Sequence, residues 1–117
     1  MGQHIQHISH ISESDIMWLA GLLEGEGCFD QTNTKVPRVR LRMTDADVVD
    51  RMAMIIGAHI TRVKTVPPRG LGKLESYSLE IGGISAIELM KQLLPQMGGR
   101  RSNKIREILQ NCHSRYD

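Results

Sequence analysis

The residues with the most chemical potential fall in one short run. Residues 19–27 hold two carboxylates, Glu24 and Glu26, interleaved with Gly25 and Gly27 and preceded by Gly21. An apolar helical pattern leads into this run, so both carboxylates sit where the helix ends. That end of the helix dipole disfavours negative charge. Carboxylates placed there call for a compensating cation, and Mg²⁺, hard and oxygen-seeking, suits them. Gly21 and Gly25 are four residues apart on one helical face, with Met17 one turn before them. Such spacing lets two helix backbones approach closely. The competing reading is that these glycines merely tolerate a local neighbour.

A second set of residues points to a polyanion. Arg38, Arg40 and Arg42 alternate with Val39, Leu41 and Met43. Period two puts three guanidinium groups on one face of a strand and the apolar set on the other. Charge is unevenly spread along the chain, although its net value is only +2. Residues 1–34 contain no Lys or Arg but carry Glu13, Asp15, Glu24, Glu26 and Asp30, whereas all fifteen bases follow. An acidic first third joined to a basic remainder suits a polyanion held near a carboxylate site. Ordinary solvated charge accounts for the same distribution.

Two further groups are weaker. His4, His7 and His10 could share one helical face as metal ligands, or belong to a frayed polar terminus. Cys28 and Cys112 have neither metal spacing nor a disulfide framework, which suits reduced thiols in an intracellular protein.

The elements that must position these residues can be read from periodicity. A chain of 117 residues predicts one compact domain, here residues 13–117 behind a flexible segment, residues 1–12. Aromatic residues make up 3%, so Leu, Ile, Val and seven Met must supply the core. No apolar run could span a bilayer and no signal-peptide layout opens the chain, so no membrane partner is expected. Ser12 or Ser14 caps a first helix, with Asp15 in its first turn. Ile16, Met17, Leu19, Ala20, Leu22 and Leu23 make it apolar on more than one side, so burial on more than one side is expected. Residues 28–34 form a first strand, with Asp30, Thr32 and Thr34 on one face and a turn around residues 33–35. The arginine strand follows. Thr44 or Asp45 caps a second helix, residues 46–56, which Gly57 stops. Residues 59–66 form a third strand. The loop Pro67-Pro68-Arg69-Gly70-Leu71-Gly72 cannot pair. Residues 74–81 form a fourth strand, Tyr77, Leu79 and Ile81 inward and Ser76, Ser78 and Glu80 outward. Helices over residues 85–94 and 100–113 flank the break at residues 95–99. The order α-β-β-α-β-β-α-α, with strands in two hairpins, predicts an α+β fold: an antiparallel-rich four-stranded sheet with helices on one face. The other sheet face, carrying Arg, Thr, Ser, Lys and Asp, must meet water or a polar ligand.

Residues 19–27, Leu-Ala-Gly-Leu-Leu-Glu-Gly-Glu-Gly, resemble the LAGLIDADG motif of homing endonucleases. Five of nine positions are identical, the first four and the last, and the rest are conservative. The α-β-β-α-β-β-α order is also that of the family core, so the resemblance extends over nearly the whole chain after Ser12.

The resemblance implies a metal-dependent hydrolase of double-stranded DNA. Glu26 matches the acid that binds the catalytic divalent ion, Mg²⁺ with Mn²⁺ or Ca²⁺ substituting in binding, and Gly25 matches the position whose carbonyl completes the coordination. Glu24 matches the acid that braces the helix pair. Asp45 falls where a polar residue orients water near the metal. Arg100 falls where a basic residue, often Lys, commonly stands, and Arg101 is a rival for that position. Arg stabilises phosphate charge but transfers protons poorly. Glu for Asp at position 26 lengthens the side chain by one methylene. With a single motif, two acidic sites need two chains, so a homodimer is expected with Met17, Gly21, Glu24 and Gly25 at its two-fold axis. The paired sheets would then form a saddle on a near-palindromic duplex. Asp30, Thr32, Thr34, Arg38, Arg40, Arg42, Arg62, Lys64, Ser76, Ser78 and Glu80 would face its major groove, while Arg69 and Lys73 reach the phosphates. Two alternatives stand beside this reading. One is the same fold as a non-cleaving regulator or RNA maturase; the other is a small dimerisation or interaction domain.

Overall fold

The computed structural model describes residues 11–57, 60, 62–66 and 75–112. The elements run α1 (Glu13–Glu26), β1 (Gly27–Gln31), β2 (Pro37–Met43), α2 (Ala46–Ile56), β3 (Arg62–Val66), β4 (Ser76–Gly82), α3 (Ile84–Leu93) and α4 (Gly99–Asn111), with a 3-10 turn over Leu94–Gln96. The four strands make one sheet in the order β1-β2-β4-β3, antiparallel at every junction. The chain is therefore α+β, in the element order that its periodicity predicts. The imidazoles of His4, His7 and His10 lie outside the described residues, as do the loop at residues 67–72, Lys73 and His113.

The alternating pattern dictates which sheet face is covered. Phe29, Val39, Leu41, Leu79 and Ile81 are buried on one face, under α1, α2 and α3. Each buried aliphatic side chain contributes on the order of 1.5–3 kcal/mol through loss of apolar surface to water. Leu19 and Leu23 of α1, Met52 of α2, and Leu89, Met90 and Leu93 of α3 fill the space above that face. Helix α4 lies against the edge strand β1 and buries Ile105 and Ile108. Sparse aromatics thus leave a core of Leu, Ile, Val and Met, as the composition requires.

Several boundaries differ from the expectation, each for a local reason. Ile11 and Ser12 belong to the folded unit, not to a flexible segment. Ser12 is the N-cap of α1, its hydroxyl accepting from the Asp15 N–H at 3.1 Å, and Ile11 packs on the core. Strand β1 ends at Gln31, three residues early. The Thr32 hydroxyl accepts from the Val36 N–H at 3.1 Å, and Lys35 takes a positive φ of 67°. The chain is therefore already turning at residue 32, and Thr32 and Thr34 leave the strand's alternation. Asp45 is the N-cap residue of α2 by backbone position, but its side chain makes no capping hydrogen bond. Gly57 ends α2 at φ 60°, a backbone conformation that favours glycine.

Helix α1 departs most from its expectation. Among the described residues one side of it is buried, through Ile16, Leu19, Ala20 and Leu23. Met17 remains 56% exposed, and Gly21 and Gly25 are exposed on the same side. Trp18 and Leu22 on the flanks are half-buried, Trp18 with the Arg51 guanidinium 4.2 Å from its ring centroid.

Candidate functional site

The three glycines of residues 19–27 separate by environment. A Cβ on Gly27 would lie 2.7 Å from Leu23 Cδ2 and 2.8 Å from the Leu23 carbonyl oxygen. Glycine is needed there because the chain passes from α1 straight into β1 against the last helical turn. A Cβ on Gly21 or Gly25 would meet nothing within 4 Å. No contact within the described chain requires glycine at either place, yet each costs α1 about 1 kcal/mol relative to alanine.

The two carboxylates also separate. Glu24 is half-buried and accepts from the Gly98 N–H through Oε1 at 2.6 Å. Gly98 is the N-cap of α4, where the helix dipole favours a negative group. Arg101, on the first turn of α4, donates through Nε to the Glu24 carbonyl oxygen at 3.2 Å. The end of α1 and the start of α4 thus satisfy each other: an acid meets the positive end, a cation meets the last carbonyls. The Glu24 carboxylate is thus met by a backbone donor at the positive end of a helix dipole in its own chain.

Glu26 is exposed and makes no hydrogen bond or ion pair with any described residue. It is the last residue of α1, and its helix supplies carbonyls there, Gly25's among them, that have no helical successor to bond. Gly27 pairs with Leu41, so the start of β1 and the end of β2 share one end of the sheet. Asp45, exposed, lies just past that end of β2. Arg100 is exposed and Arg101 half-buried; both line an open groove of about 540 Å³ between β1 and α4, with Cys28, Phe29 and Lys104.

Among the described residues no three His, Cys, Asp or Glu side chains converge as a cage. Mg²⁺ does not require one: it is habitually held by one or two carboxylates, water and substrate phosphate. Glu26, with no hydrogen-bond or ion-pair partner among the described residues, and the Gly25 carbonyl, which has no successor in its helix, fit that donor set.

The sheet face away from α1, α2 and α3, which no described helix covers, carries most of the polar candidates. Cys28, Asp30, Arg38, Arg40, Arg42, Ser78 and Glu80 fall on it by strand register. Arg62 and Lys64 are placed opposite Glu80 and Ser78, although their side chains lie outside the described part. Asp30 is directly opposite Arg38 and takes its Nε on Oδ1 at 2.9 Å and its Nη2 on Oδ2 at 3.1 Å. Arg40 Nη2 donates to the same Oδ2 and, at 3.6 Å, to Cys28 Sγ. Burial draws the Arg40 pKa down, but the Cys28 hydrogen bond and the Asp30 charge outweigh it and leave the value raised. Arg40 is a permanent cation. Arg42 is exposed and donates through Nε to the Ser76 hydroxyl at 3.1 Å. Thr32 and Thr34 sit in the β1–β2 turn, their hydroxyls 3.1 Å apart. The Asp30 bridge was invisible to periodicity, which gave the shared face but not the partners. Both cysteines are free: Cys28 is exposed, and Cys112 is buried beside Gln31.

No protein-family model matches this chain, and no curated protein matches it.

Proposed function

We propose that the chain is a homing endonuclease of the LAGLIDADG type, a homodimer that hydrolyses phosphodiester bonds in double-stranded DNA. The observation that carries this reading is Glu26. Among the described residues it is a carboxylate without a hydrogen-bond or ion-pair partner, at the end of a helix with one exposed side and one residue before a sheet with three arginines on the face away from the helices. Carboxylate, open helix side and basic face are thereby joined in one short stretch of chain.

Each part has a role. Met17, Gly21 and Gly25 pack against the same side of α1 in a second copy, where the missing side chains allow close approach. Two copies of Glu26 then lie near the two-fold axis, one for each DNA strand. The sheets together form a saddle, and their polar face enters the major groove. Glu26, with the Gly25 carbonyl, would hold a divalent ion. When bound, that ion supplies Lewis-acid charge to the scissile phosphate and acidifies an attacking water. Asp45 orients water at the same end of the sheet, and Arg100 or Arg101 offsets phosphate charge from the start of α4. Glu24 keeps α4 in place and does not itself reach substrate.

The test is cleavage of a plasmid pool with randomised inserts in Mg²⁺, by the full chain and by Glu26→Gln. The expected result is a linear product enriched in near-palindromic inserts, made only by the unaltered chain. Equal cleavage by both proteins, or none by the unaltered chain, refutes the proposal.

A further inference from the structure

The Asp30–Arg38 pair bears on how the basic face would read sequence. Arg38 uses one edge of its guanidinium, Nε and Nη2, on the two oxygens of Asp30. The pair is directly opposite across β1 and β2, so the backbone fixes both ends of the bridge. Arg40 Nη2 closes on the same carboxylate from the next outward-facing position. Asp30 thus accepts from four donors, the fourth being Cys28 Sγ at 3.8 Å, and three of them crowd Oδ2, so little of its acceptor capacity is left to meet a base. Arg38 has the opposite character. Its second edge, Nη1 with the outer hydrogen of Nη2, makes no hydrogen bond with any described residue and lies away from Asp30. Two parallel N–H donors held in a fixed plane match one base edge in the major groove, the O6 and N7 acceptors of guanine.

We propose that Asp30 is a positioning residue that holds Arg38 to read one guanine in each half-site. This rests on the DNA-binding reading above and deepens it. Asp30 moves from a groove contact to the brace behind one. Anchoring removes the rotamer freedom that a free arginine loses on binding, which is worth roughly 2- to 10-fold in affinity. A bidentate Arg–guanine contact discriminates against other bases by about 5- to 150-fold.

The experiment selects bound sequences from a randomised duplex pool in Ca²⁺, comparing the full chain with Asp30→Ala, Asp30→Asn, Arg38→Ala and Asp50→Ala. Asp50 is exposed on α2, away from the sheet's polar face, so its variant controls for loss of one negative charge. Melting temperatures are recorded for all five proteins, and Asp30→Asn, which keeps one acceptor for Nε, serves should the alanine variant not fold. The expected profile has one symmetric guanine position. Arg38→Ala abolishes that preference, Asp30→Ala weakens it about 2- to 10-fold, and Asp50→Ala leaves it unchanged. Affinity for duplexes lacking that guanine holds or rises in Asp30→Ala, because a negative charge has gone. A guanine preference lost in Arg38→Ala but intact in both Asp30 variants overturns the positioning role alone. Loss of a cytosine or adenine preference in Asp30→Ala also overturns it, since Asp30 would then be a direct contact. No duplex binding by the unaltered chain removes the DNA reading and this inference together.

Discussion

Replacing Glu24 with alanine removes the carboxylate that receives the Gly98 N–H at 2.6 Å and faces the N-terminus of α4. A hydrogen bond to a charged group contributes about 1.5–3 kcal/mol, and a half-exposed site belongs at the lower end. The interaction of an anion with a helix N-terminus adds about 0.3–1 kcal/mol. Together they give a loss of roughly 2 kcal/mol. Unfolding entropy of about 2.1 cal/mol/K per residue over 117 residues makes 1 kcal/mol worth about 4 °C. The expected drop in Tm is therefore about 8 °C, with a matching fall in the urea midpoint. Glu24→Gln, which retains a neutral acceptor, should fall between the two. The contrast with Glu26→Gln is the sharper part. Glu26 is exposed and makes no hydrogen bond or ion pair with a described residue, so its variant should lie within about 0.5 kcal/mol of the unaltered chain, the usual range for surface changes. Calorimetry at two protein concentrations separates this brace from an effect on self-association. Equal stability of Glu24→Ala and the unaltered chain, or a larger loss at Glu26, would refute the division of labour between the two acids.

Other positions test other links. Gly27→Ala should destabilise by more than about 1 kcal/mol in urea unfolding, because its Cβ would press on the Leu23 backbone at 2.8 Å. Gly21→Leu has open space around it and should make α1 about 0.8–1 kcal/mol more favourable within one chain while weakening dimer formation in sedimentation. Stronger association of that variant would contradict a glycine-mediated helix pair. Leu79→Ala, fully buried at the centre of the sheet, should cost about 2–5 kcal/mol in the same unfolding assay. Duplex affinity should fall steeply with salt, and a flat dependence would count against phosphate contacts by the basic face.

How much of this was legible in the sequence varies by residue. Arginines at 38, 40 and 42 against Val39, Leu41 and Met43 predict both faces of β2, because a strand's period of two leaves no freedom in which side chains share a face. The order of helices and strands follows from the same local periods and from glycines that stop α2 and follow β4. The end of β1 was not legible, since Thr32 and Thr34 continue an alternating pattern and only the closing turn, with Lys35 at positive φ, shows where it stops. Nor could the roles within residues 19–27 be separated along the chain. Glu24 and Glu26 are the same residue two places apart, and they differ because α4, some 75 positions later, brings Gly98 to one and leaves the other in water. Gly27 is glycine because Leu23 crowds it, whereas no described neighbour requires glycine at position 21, a distinction made by tertiary contacts alone. Sequence determines local period and therefore faces. Tertiary structure decides partners, because which donor meets which carboxylate depends on contacts between elements that lie far apart along the chain.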